Sequence, residues 1–574
     1  MNFLENDFKR IFSLINENKL DLAIDELNTF YSSNKKDKNI LFLLSLANLK
    51  LKNFKQALNF INKALTNDKL NFDYLGLQAI VYSNLKEYNN ALKIYDRLIL
   101  NYPNNPSAYE HKFTLLRKIN RPREKINFLN HIKNLEHLNF KYIESHLIDT
   151  ELEILDWSNF EEKKNMLKKS VLNNEEKLTP FLAKLLYDDP DLDIKSAKIY
   201  SNFLYEKKAN NNFTQKYNNN KINLGFFSSD FTNHPTTFLI MGLFKFIDKK
   251  KFTLNIFYYG DNFSIQTDEI KKYADNFFEI SSLNDDEVKS LALNQKIDIA
   301  FDLNGYTNNH RATLFLKKLA PIQINYLAFP GTLGSDAYDY MIVDHKIVNE
   351  DNKNYFSENL IYMPNVYQIN NYNNYSKEIN KNEFDINSNE FIFSNFGSQK
   401  KINPEITNAW IKILKSTHKS KLYLMIEDNI SKKNLKEFFN DEKIFEKVHF
   451  TKKINYFAHM KRFQSADLFL DTYPCGSHTT ASESLFMGLP ILSIVGKSIQ
   501  SRVCYSFLKS LDLEYLICQN IDEYVSKAIE LYNDPKKLKK IKQQLSNSKK
   551  NVVFDPKIYT KNFSEKIESL CSNR

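Results

Sequence analysis

The sequence is poor in cysteine, in long apolar runs and in excess charge, and each shortage excludes a class of protein. Four cysteines occur, none of them in a CxxC pair, so neither a disulfide framework nor a structural zinc site is indicated. No apolar run reaches the roughly 18 residues that a membrane-spanning helix needs. The opening MNFLENDFKRIF lacks the basic-then-apolar pattern of a signal peptide. We therefore expect a cytoplasmic protein.

The charge and the hydrophobic content indicate a large folded protein rather than a nucleic-acid-binding one. The net charge of +10 arises from 79 basic and 69 acidic residues, a small excess that is spread along 574 residues. This distribution does not predict a nucleic-acid partner. Hydrophobic residues make up 42% of the chain, which is enough for large cores. The length predicts roughly two to four domains.

The N-terminal part contains an internal repeat. The segments KLDLAIDEL, NFKQALNFI and EYNNALKIY align so that Ala23, Ala57 and Ala91 follow one another at a spacing of 34 residues. This pattern resembles the tetratricopeptide repeat, a helix pair in which small side chains allow close packing. A fourth unit would place Lys125 at the alanine position, so we predict that the array covers residues 1–135. Such arrays present concave surfaces that bind peptides.

A helical connector is predicted over residues 136–220, with an Asn-rich linker at its end. The connector contains the acidic run DDPDLD, from Asp188 to Asp193, for which two interpretations exist. The carboxylates could bind a metal ion, or they could cap a helix and flank a solvated turn beside Pro190. We favour the cap, because carboxylates next to a proline at the start of a helix usually have that function.

Beyond Lys221, short apolar segments alternate with helical ones, which predicts parallel sheets with crossover helices. One series runs from INLGFF to LIYMP and a second from EFIFSNF to PILSIV, with polar residues between them. We therefore predict an α/β fold of two Rossmann-like lobes, residues 221–385 and 386–574, with a cleft between them. No GxGxxG motif follows the first strand, which argues against a dinucleotide-dependent oxidoreductase.

The stretch LDTYPCGSHTTASESLFMGLP, from Leu470 to Pro490, has the features of a phosphate-binding site. A predicted strand ends in Asp471, a loop of small residues follows, and His478 precedes a helix that starts with hydroxyl side chains. The unpaired N–H groups of a first helical turn and the helix dipole favour an anion there. The carboxylate of Glu483, one turn further into the helix, is placed to receive ribose hydroxyls.

Other polar side chains follow further predicted strand ends, where ligands of parallel sheets bind. His234 follows INLGFF, and Lys401 follows EFIFSNF, where an ammonium group suits a pyrophosphate. The loop FPGTLG offers backbone donors with little obstruction by side chains. His459 and Arg462 lie three residues apart on one helical face, either as an ordinary surface pair or as a site for an aromatic base.

Taken together, these segments resemble a known family. SSDFTNHPT, DLNGYT, APIQINYLAFPGTLG, DYMIVD, DLFLDTYPCGSHTTASESLFMGLP and SRVCYSFLKSL are similar to the catalytic region of protein O-GlcNAc transferases and the related SPINDLY proteins. The resemblance covers nearly the whole chain in order, the repeats included. It implies a two-lobed GT-B fold and an inverting glycosyltransferase that uses a nucleotide sugar, without a metal or another cofactor.

The resemblance also implies roles for residues around the diphosphate of the donor. Lys401 matches the lysine that neutralises the leaving diphosphate. Thr479 and Thr480 match the pair at the start of the phosphate-binding helix, with His478 beside them. Ser398 stands where the animal members carry a glutamine that contacts the phosphates.

Further implied roles concern the base, the sugar and the acceptor. His459 matches the histidine that packs on the uracil, and Arg462 falls at a basic position nearby. His234 matches a histidine of the cleft to which the role of base or of orienting groups is assigned. Cys475 falls near the N-acyl group of the sugar, and Glu483 replaces a ribose-binding aspartate. The FPGTLG loop adds three predicted donor-binding residues, Pro330, Gly331 and Thr332.

Several departures from the family pattern lie near the donor and leave its identity open. Ser398 and Lys400 replace a glutamine and a tyrosine, Tyr456 replaces a lysine, and Glu483 is one methylene longer than aspartate. UDP-GlcNAc is the leading donor, with GDP-fucose or another hexose donor as alternatives. The expected acceptors are Ser or Thr of proteins that lie along the repeats. The alternatives are a non-protein acceptor and a non-catalytic repeat scaffold; the oligomeric state, a homo-oligomer included, stays open.

Overall fold

A computed structural model describes residues 3–17, 19–205, 213, 217, 219–372, 390–547 and 551–572. The chain divides into two compact units, Met1–Thr150 and Glu151–Arg574. The predicted Asn-rich linker at 208–220 and the polar segment at 370–385 lie largely outside the described residues. Within the described ranges, no helix combines the length and the apolar composition that crossing a bilayer would require.

The first unit is built from consecutive helix pairs. Its described helices are α1 (Glu5–Asn16), α2 (Leu20–Ser33), α3 (Lys38–Lys50), α4 (Phe54–Asn67), α5 (Phe72–Asn84), α6 (Tyr88–Asn101), α7 (Pro106–Lys118) and α8 (Pro122–Lys133), and α9 (Ile143–Glu153) crosses the boundary between the units. The predicted repeat array is confirmed, and a fourth pair, α7 and α8, forms although Lys125 occupies the alanine position. Lys125 is buried in this pair, as the three alanines are in the pairs before it.

Small residues bring the two helices of a repeat close together. Ala57 on α4 is fully buried, and the hydroxyl of Ser45 on α3 donates to the Ala57 carbonyl oxygen at 2.9 Å. A hydrogen bond from a side chain of one helix to the backbone of its neighbour requires short interhelical contact. The alanine of the repeat therefore acts as a spacer, because any larger side chain would separate the two helices.

The second unit begins with a helical connector. Its helices are α10 (Phe160–Leu172), α11 (Pro180–Leu186) and α12 (Pro190–Leu204). The predicted cap at DDPDLD is confirmed: the Asp189 carboxylate accepts from the Leu192 N–H at 3.2 Å, and Pro190 occupies the first turn of α12. Among the described residues, no group of three or more His, Cys, Asp or Glu side chains is arranged to hold a metal ion.

The first lobe contains a seven-stranded parallel sheet. Its elements are β1 (Ile222–Ser228), α13 (Pro235–Phe246), β2 (Phe252–Tyr258), α14 (Ile265–Tyr273), β3 (Asn276–Glu279), α15 (Asp285–Asn294), β4 (Ile299–Asp302), α16 (Thr313–Leu316), β5 (Ile322–Asn325), β6 (Tyr340–Asp344) and β7 (Asn359–Met363). The strand order is β3-β2-β1-β4-β5-β6-β7. In the central pairing, Leu224 of β1 lies opposite Leu254 of β2 and Ile299 of β4.

The second lobe repeats this design with six described strands. Its elements are β8 (Phe391–Asn395), α17 (Pro404–Ser416), β9 (Ser420–Met425), α18 (Asn429–Phe439), α19 (Glu442–Phe445), β10 (Val448–Thr451), α20 (Tyr456–Arg462), β11 (Leu468–Leu470), α21 (Thr479–Phe486), β12 (Ile491–Ile494), α22 (Ile499–Ser510), β13 (Ile517–Cys518), α23 (Ile521–Asn533), α24 (Pro535–Asn547) and α25 (Pro556–Ser572). The strand order is β10-β9-β8-β11-β12-β13, again parallel. The predicted two-lobed α/β architecture is thus confirmed.

The chain returns to the first lobe at its end. Tyr559, Phe563 and Ile567 of α25 are buried in the core that the first sheet forms with α13. The Tyr559 hydroxyl also lies 2.8 Å from that of Tyr326, just beyond β5. Helix α25, which the predicted division places with the second lobe, therefore supplies part of the core of the first.

We predict that Ala57→Leu destabilises the repeat unit by about 1–3 kcal/mol, since added methylenes force helices α3 and α4 apart. The measurement is the thermal midpoint of the unit Met1–Thr150 within the full chain, followed by calorimetry. Leu100→Ala serves as the control, because Leu100 is 80% exposed on the same array. An unchanged midpoint for Ala57→Leu would contradict the spacer function of this alanine.

Candidate functional site

Each sheet has one point at which the strand order reverses, between β1 and β4 in the first lobe and between β8 and β11 in the second. Ligands of open parallel sheets bind beyond the carboxyl ends of the strands at such points. Most of the residues predicted from the sequence lie in the loops that follow these four strands or on the helices that these loops begin. The structure therefore places them at the two edges where a ligand of this fold is expected.

In the first lobe, Asn304 joins the loops that follow β1 and β4. Its side chain is fully buried, and its amide oxygen accepts from the Ser228 hydroxyl at 2.8 Å and from the Ser229 N–H at 3.0 Å. Its amide nitrogen donates to the Asp230 carboxylate at 3.0 Å. One amide thus fixes the positions of both loops and of the carboxylate beside His234.

His234 caps helix α13 through its ring. Its Nδ1 accepts from the Thr236 N–H at 3.3 Å, so a neutral ring carries its proton on Nε2. The Asp230 carboxylate lies 3.7 Å from the same Nδ1, which is beyond hydrogen-bond distance. In this arrangement Nδ1 is occupied as the acceptor of the cap, and Nε2 carries the proton of the neutral ring.

In the second lobe, the buried carboxylate of Asp471 holds the loop after β11. It accepts from the N–H groups of Thr472 at 2.9 Å and Ser477 at 2.8 Å, and from the Ser493 hydroxyl at 2.6 Å. Burial raises the pKa of this carboxyl, and these bonds counteract the rise. The Thr472 hydroxyl donates to the carbonyl of Cys475, whose buried thiol has its pKa raised by desolvation.

Lys401 reaches this loop from the end of β8. It closes a short 3-10 helix, Gln399–Lys401, and its Nζ donates to the Gly476 carbonyl oxygen at 2.6 Å. The predicted proximity of Lys401 to the CGSHTT segment is therefore present in the fold. The neighbouring residues do not contact this loop in the same way. Ser398 is exposed, and the Lys400 ammonium pairs with the Glu153 carboxylate at 2.9 Å.

Helix α21 starts beside Lys401 without a side-chain cap. His478 occupies the N-cap position, but its ring Nε2 donates to the Gln500 carbonyl at 3.1 Å instead of accepting from the helix. Thr479 and Thr480 form the half-buried first turn. The first-turn N–H groups and the positive end of the helix dipole are thus left to face an incoming anion.

Burial of the His478 ring, together with the nearby Lys401 charge, lowers the pKa of this histidine to about 3. The ring is therefore neutral over the physiological pH range. A neutral ring with Nε2–H bonded to a carbonyl keeps Nδ1 as an acceptor. This places an acceptor, and no second cation, at the start of the helix.

A third predicted histidine, His459, lies between the side chains of Arg462 and Glu483. The interpretation of His459 and Arg462 as an ordinary surface pair is wrong, since Arg462 is 1% exposed and its guanidinium lies 4.4 Å above the ring of Phe396. Arg462 donates to His459 Nδ1 at 2.6 Å, and His459 Nε2 lies 3.7 Å from the Glu483 carboxylate. Burial lowers the pKa of Arg462 to about 10, so it remains charged at neutral pH.

A guanidinium can only donate, so it fixes which nitrogen of His459 carries the proton. Nδ1 is the acceptor, and the N–H of the neutral ring is on Nε2, directed toward Glu483. Arg462 acts on a ligand through His459, because its own side chain is enclosed by protein.

The predicted loop Pro330, Gly331 and Thr332 is buried after β5. The Thr332 hydroxyl donates to the Glu358 carboxylate at 2.6 Å, and the Gly331 carbonyl accepts from the Asn325 amide at 3.0 Å. These polar groups of the loop are used within the protein. A ligand would therefore meet the remaining backbone groups rather than the Thr332 hydroxyl.

Two features of the site were not predicted. Leu327, between β5 and this loop, has φ +81°, a left-handed conformation that is strained for a branched side chain and is typical of functional loops. The Asp188 carboxylate accepts from the backbone N–H groups of Lys497 and Ser498 at 2.7–2.9 Å, ahead of α22. The acidic run drew attention to Asp188 in the sequence. Its partners could not be predicted, because they lie more than 300 residues away along the chain.

The two lobes meet at an aromatic stack. The rings of Phe238, on the helix that His234 caps, and Tyr456, on the helix that carries His459, lie 3.9 Å apart with an angle of 7° between their planes. Aromatic pairs at such distances contribute beyond their buried area. The stack therefore couples helix α13, which His234 caps, to helix α20, which carries His459.

We predict that His478 lowers the free energy of unfolding as the pH falls below about 6.5, which is the ordinary pKa of a histidine side chain. The unfolded chain takes up a proton there and the folded chain does not until about pH 3, so stability is complete above pH 6.5 and decreases toward pH 3. The measurement is the denaturant midpoint from pH 7 to pH 5. His478→Gln, which keeps a donor for the Gln500 carbonyl, should show a smaller decrease; equal slopes would contradict the assignment.

Comparisons with known proteins agree with this geometry. A model of glycosyl transferase family 41 matches residues 197–384 and 374–563. The chain is 28% identical over 355 residues to the probable UDP-N-acetylglucosamine–peptide N-acetylglucosaminyltransferase SEC of Arabidopsis thaliana, a match that covers 60% of this chain and 36% of that protein. The similarly named SPINDLY of Arabidopsis thaliana is 26% identical over 334 residues, 56% of this chain and 36% of its own.

The matched region is thus little more than a third of the length of these relatives. Among solved structures, a mutant of the Thermobaculum terrenum O-GlcNAc transferase superposes with a TM-score of 0.67 at 18% identity, over 93% of this chain and 97% of that one. This likeness concerns the fold. The family model covers well over half of the sequence, with both reversal points and their loops inside it. The chain belongs to glycosyl transferase family 41.

Proposed function

We propose that this protein is an inverting, metal-independent glycosyltransferase that moves N-acetylglucosamine from UDP-GlcNAc to Ser or Thr hydroxyls of proteins. The observation that carries the proposal is the convergence of Lys401 and the uncapped start of α21 on one loop, at the reversal point of the second sheet. The names of the two plant relatives, which specify UDP-N-acetylglucosamine and a peptide acceptor, support the choice of donor and acceptor.

The leaving group determines the chemistry of the site. As the bond between the anomeric carbon and the diphosphate breaks, negative charge develops on the diphosphate oxygens. The Lys401 ammonium and the positive end of α21 are already in place to stabilise that charge, a function that a divalent cation performs in other enzymes. The first-turn hydroxyls of Thr479 and Thr480 add donors for the same oxygens. The acceptor hydroxyl attacks from the opposite face, which inverts the anomeric carbon.

The nucleoside is assigned to the surface formed by His459 and Glu483. The His459 ring, held by the guanidinium of Arg462, offers a flat surface for the base. The Glu483 carboxylate, buried and 3.7 Å from His459 Nε2, is placed to accept from ribose hydroxyls. Cys475, as a neutral buried thiol, contributes an apolar contact next to the diphosphate. Ser398, exposed ahead of Lys401, adds a hydroxyl at the edge of the donor site.

The proton of the acceptor hydroxyl needs a receiver. His234 is the histidine of the first lobe at the reversal point, and it receives the proton on Nδ1 if the bond from the Thr236 N–H is released. The nearby Asp230 carboxylate then stabilises the resulting imidazolium from 3.7 Å. The repeat unit is proposed to bind the acceptor protein along its concave surface.

We predict that Lys401→Ala retains the fold but loses sugar transfer by at least about 100-fold, since one preorganised charge of this kind contributes about 3 kcal/mol to the transition state. The measurement is the intact mass of acceptor proteins incubated with the enzyme and UDP-GlcNAc, where the added mass identifies the sugar. Lys412→Ala, an exposed lysine on α17, serves as the control.

Parallel incubations with GDP-fucose and with other UDP-hexoses test the alternative donors. Transfer of fucose in place of N-acetylglucosamine would reassign the donor, and full turnover by Lys401→Ala would overturn the proposed leaving-group site. Absence of transfer from every donor, with no binding of UDP or GDP, would identify the protein as a repeat scaffold.

We predict that His234→Asn and His234→Ala separate two roles of this residue. Asparagine is a good N-cap for α13 but does not titrate, whereas alanine removes both properties. If His234 receives the proton, kcat falls by about 10²–10⁴-fold in both variants. If His234 orients the loop, Asn retains most of the wild-type kcat and Ala does not. Unchanged kcat in both variants would remove His234 from the mechanism.

A further inference from the structure

The second unit contains an ion pair that no step of the proposed mechanism uses. The Lys184 ammonium on α11 and the Asp193 carboxylate on α12 are 2.8 Å apart, and their side chains are 3% and 7% exposed. Burial of two charges costs desolvation energy that their attraction does not always recover, and apolar residues often stabilise such a position as well or better. A pair as deeply buried as this one is therefore a candidate for function.

Both groups retain hydrogen-bonding capacity. Asp193 Oδ2 receives Lys184, and Asp193 Oδ1 has no partner within hydrogen-bond distance among the described residues. Burial raises the pKa of Asp193, while Lys184 and the nearby Ser498 hydroxyl oppose that rise. The Lys184 ammonium carries three N–H groups. Asp193 takes one of them. Gly331 leaves space for this ammonium, because a Cβ at Gly331 would lie 2.5 Å from Lys184 Nζ. A buried acceptor and a buried donor thus stand side by side.

These two groups face a small cavity of about 20 Å³. Gly331 and Thr332 line it from the loop after β5, and Lys497 and Ser498 line it from the loop after β12. The cavity therefore lies where the carboxyl edges of the two sheets meet, which is the ligand-binding edge of this fold. Its volume accommodates one or two water-sized groups and excludes a whole sugar ring.

The cavity is also close to the proposed diphosphate site. Burial raises the pKa of the Cys475 thiol, and the charges of Lys401 and Lys184 both oppose that rise. Gln500 also connects the two places: its carbonyl accepts from the Gly476 N–H at 3.0 Å, and its side-chain amide donates to the carbonyl of Tyr187, three residues after Lys184, at 2.9 Å.

The chemistry of the cavity selects its occupant. An anion would meet the unpaired Asp193 oxygen and be repelled, and an apolar group would leave that oxygen without a donor. A hydroxyl group donates to Asp193 Oδ1 and accepts from Lys184 Nζ, and it is of the size that the cavity holds.

We propose that Lys184 and Asp193 form a subsite that binds one hydroxyl group of the donor sugar, and that this subsite distinguishes the sugar nucleotide from the free nucleotide. The inference rests on the proposed function for the identity of the donor. It places a binding site for one sugar hydroxyl on the connector helices, outside the loops at the two reversal points.

The test compares binding of UDP with binding of UDP-GlcNAc by calorimetry, in the wild-type protein and in Lys184→Met/Asp193→Leu. Replacing both partners avoids an isolated buried charge. We expect the Kd for UDP to change by less than twofold and the Kd for UDP-GlcNAc to rise by about tenfold or more. The UDP arm also verifies that the double variant is folded.

A matched control is Lys318→Met/Asp339→Asn. This pair has a 2.8 Å contact and belongs to the first lobe, but Asp339 immediately precedes β6, at the opposite edge of the sheet from the cavity. Asparagine keeps an acceptor for the Gln323 N–H, which Asp339 binds at 2.8 Å. Both dissociation constants should stay at their wild-type values in this control.

UDP-sugars that each lack one ring hydroxyl show which hydroxyl binds to Lys184 and Asp193. The hydroxyl that enters the subsite is the one whose removal weakens binding to the wild-type protein but causes no further loss in the double variant. If the double variant does not fold, Lys184→Met/Asp193→Asn is used in the same series, since asparagine is close in volume to aspartate and both charges are again removed together.

An unchanged ratio of the two dissociation constants in the variant, or deoxy donors that lose affinity equally in both proteins, would overturn the subsite and leave an ordered water as the occupant. Failure of the proposed function gives a different result, because the wild-type protein would then bind neither UDP nor UDP-GlcNAc. The two inferences therefore fail separately.

Discussion

The geometry of the proposed donor site depends on one buried carboxylate, that of Asp471. It lies at the end of β11 and fixes the following loop through two backbone N–H groups and the Ser493 hydroxyl. A buried charge without such partners would cost several kcal/mol, so the loop has little freedom to adopt another shape. The Gly476 carbonyl that receives Lys401, and the turn that starts α21, are consequences of this constraint.

Both lobes use a buried carboxylate to order the loop at the reversal point. In the second lobe Asp471 orders the loop after β11. In the first lobe Asp302, at the end of β4, accepts from the N–H groups of Asn304 and Gly305 at 2.9 and 3.0 Å. The amide of Asn304 then joins the loops that follow β1 and β4. The first lobe thus holds its loops through a carboxylate and an amide in series, and the second through a carboxylate that its own loop encloses.

The sequence predicted most of the fold because central parallel strands are continuous apolar runs, as in INLGFF and ADLFLD. It missed β3 and β13, which are short edge strands with little apolar pattern. It placed Lys401 beside the CGSHTT loop correctly, because both follow neighbouring strands. It did not predict the burial of Arg462, the Glu358 partner of Thr332 or the Lys184–Asp193 pair, since each depends on packing between elements that lie apart in the chain.

The stack of Phe238 on Tyr456 has a consequence for how the cleft opens. Any motion that widens the cleft at this point separates the two rings before the helices behind them can move apart. The contacts of Lys401 and Asp471 in the second lobe depend on charge and hydrogen bonds, which respond to salt and pH. Contact between two aromatic rings is largely insensitive to both. Salt and pH thus act on the charged contacts of the second lobe more strongly than on the aromatic contact between the lobes.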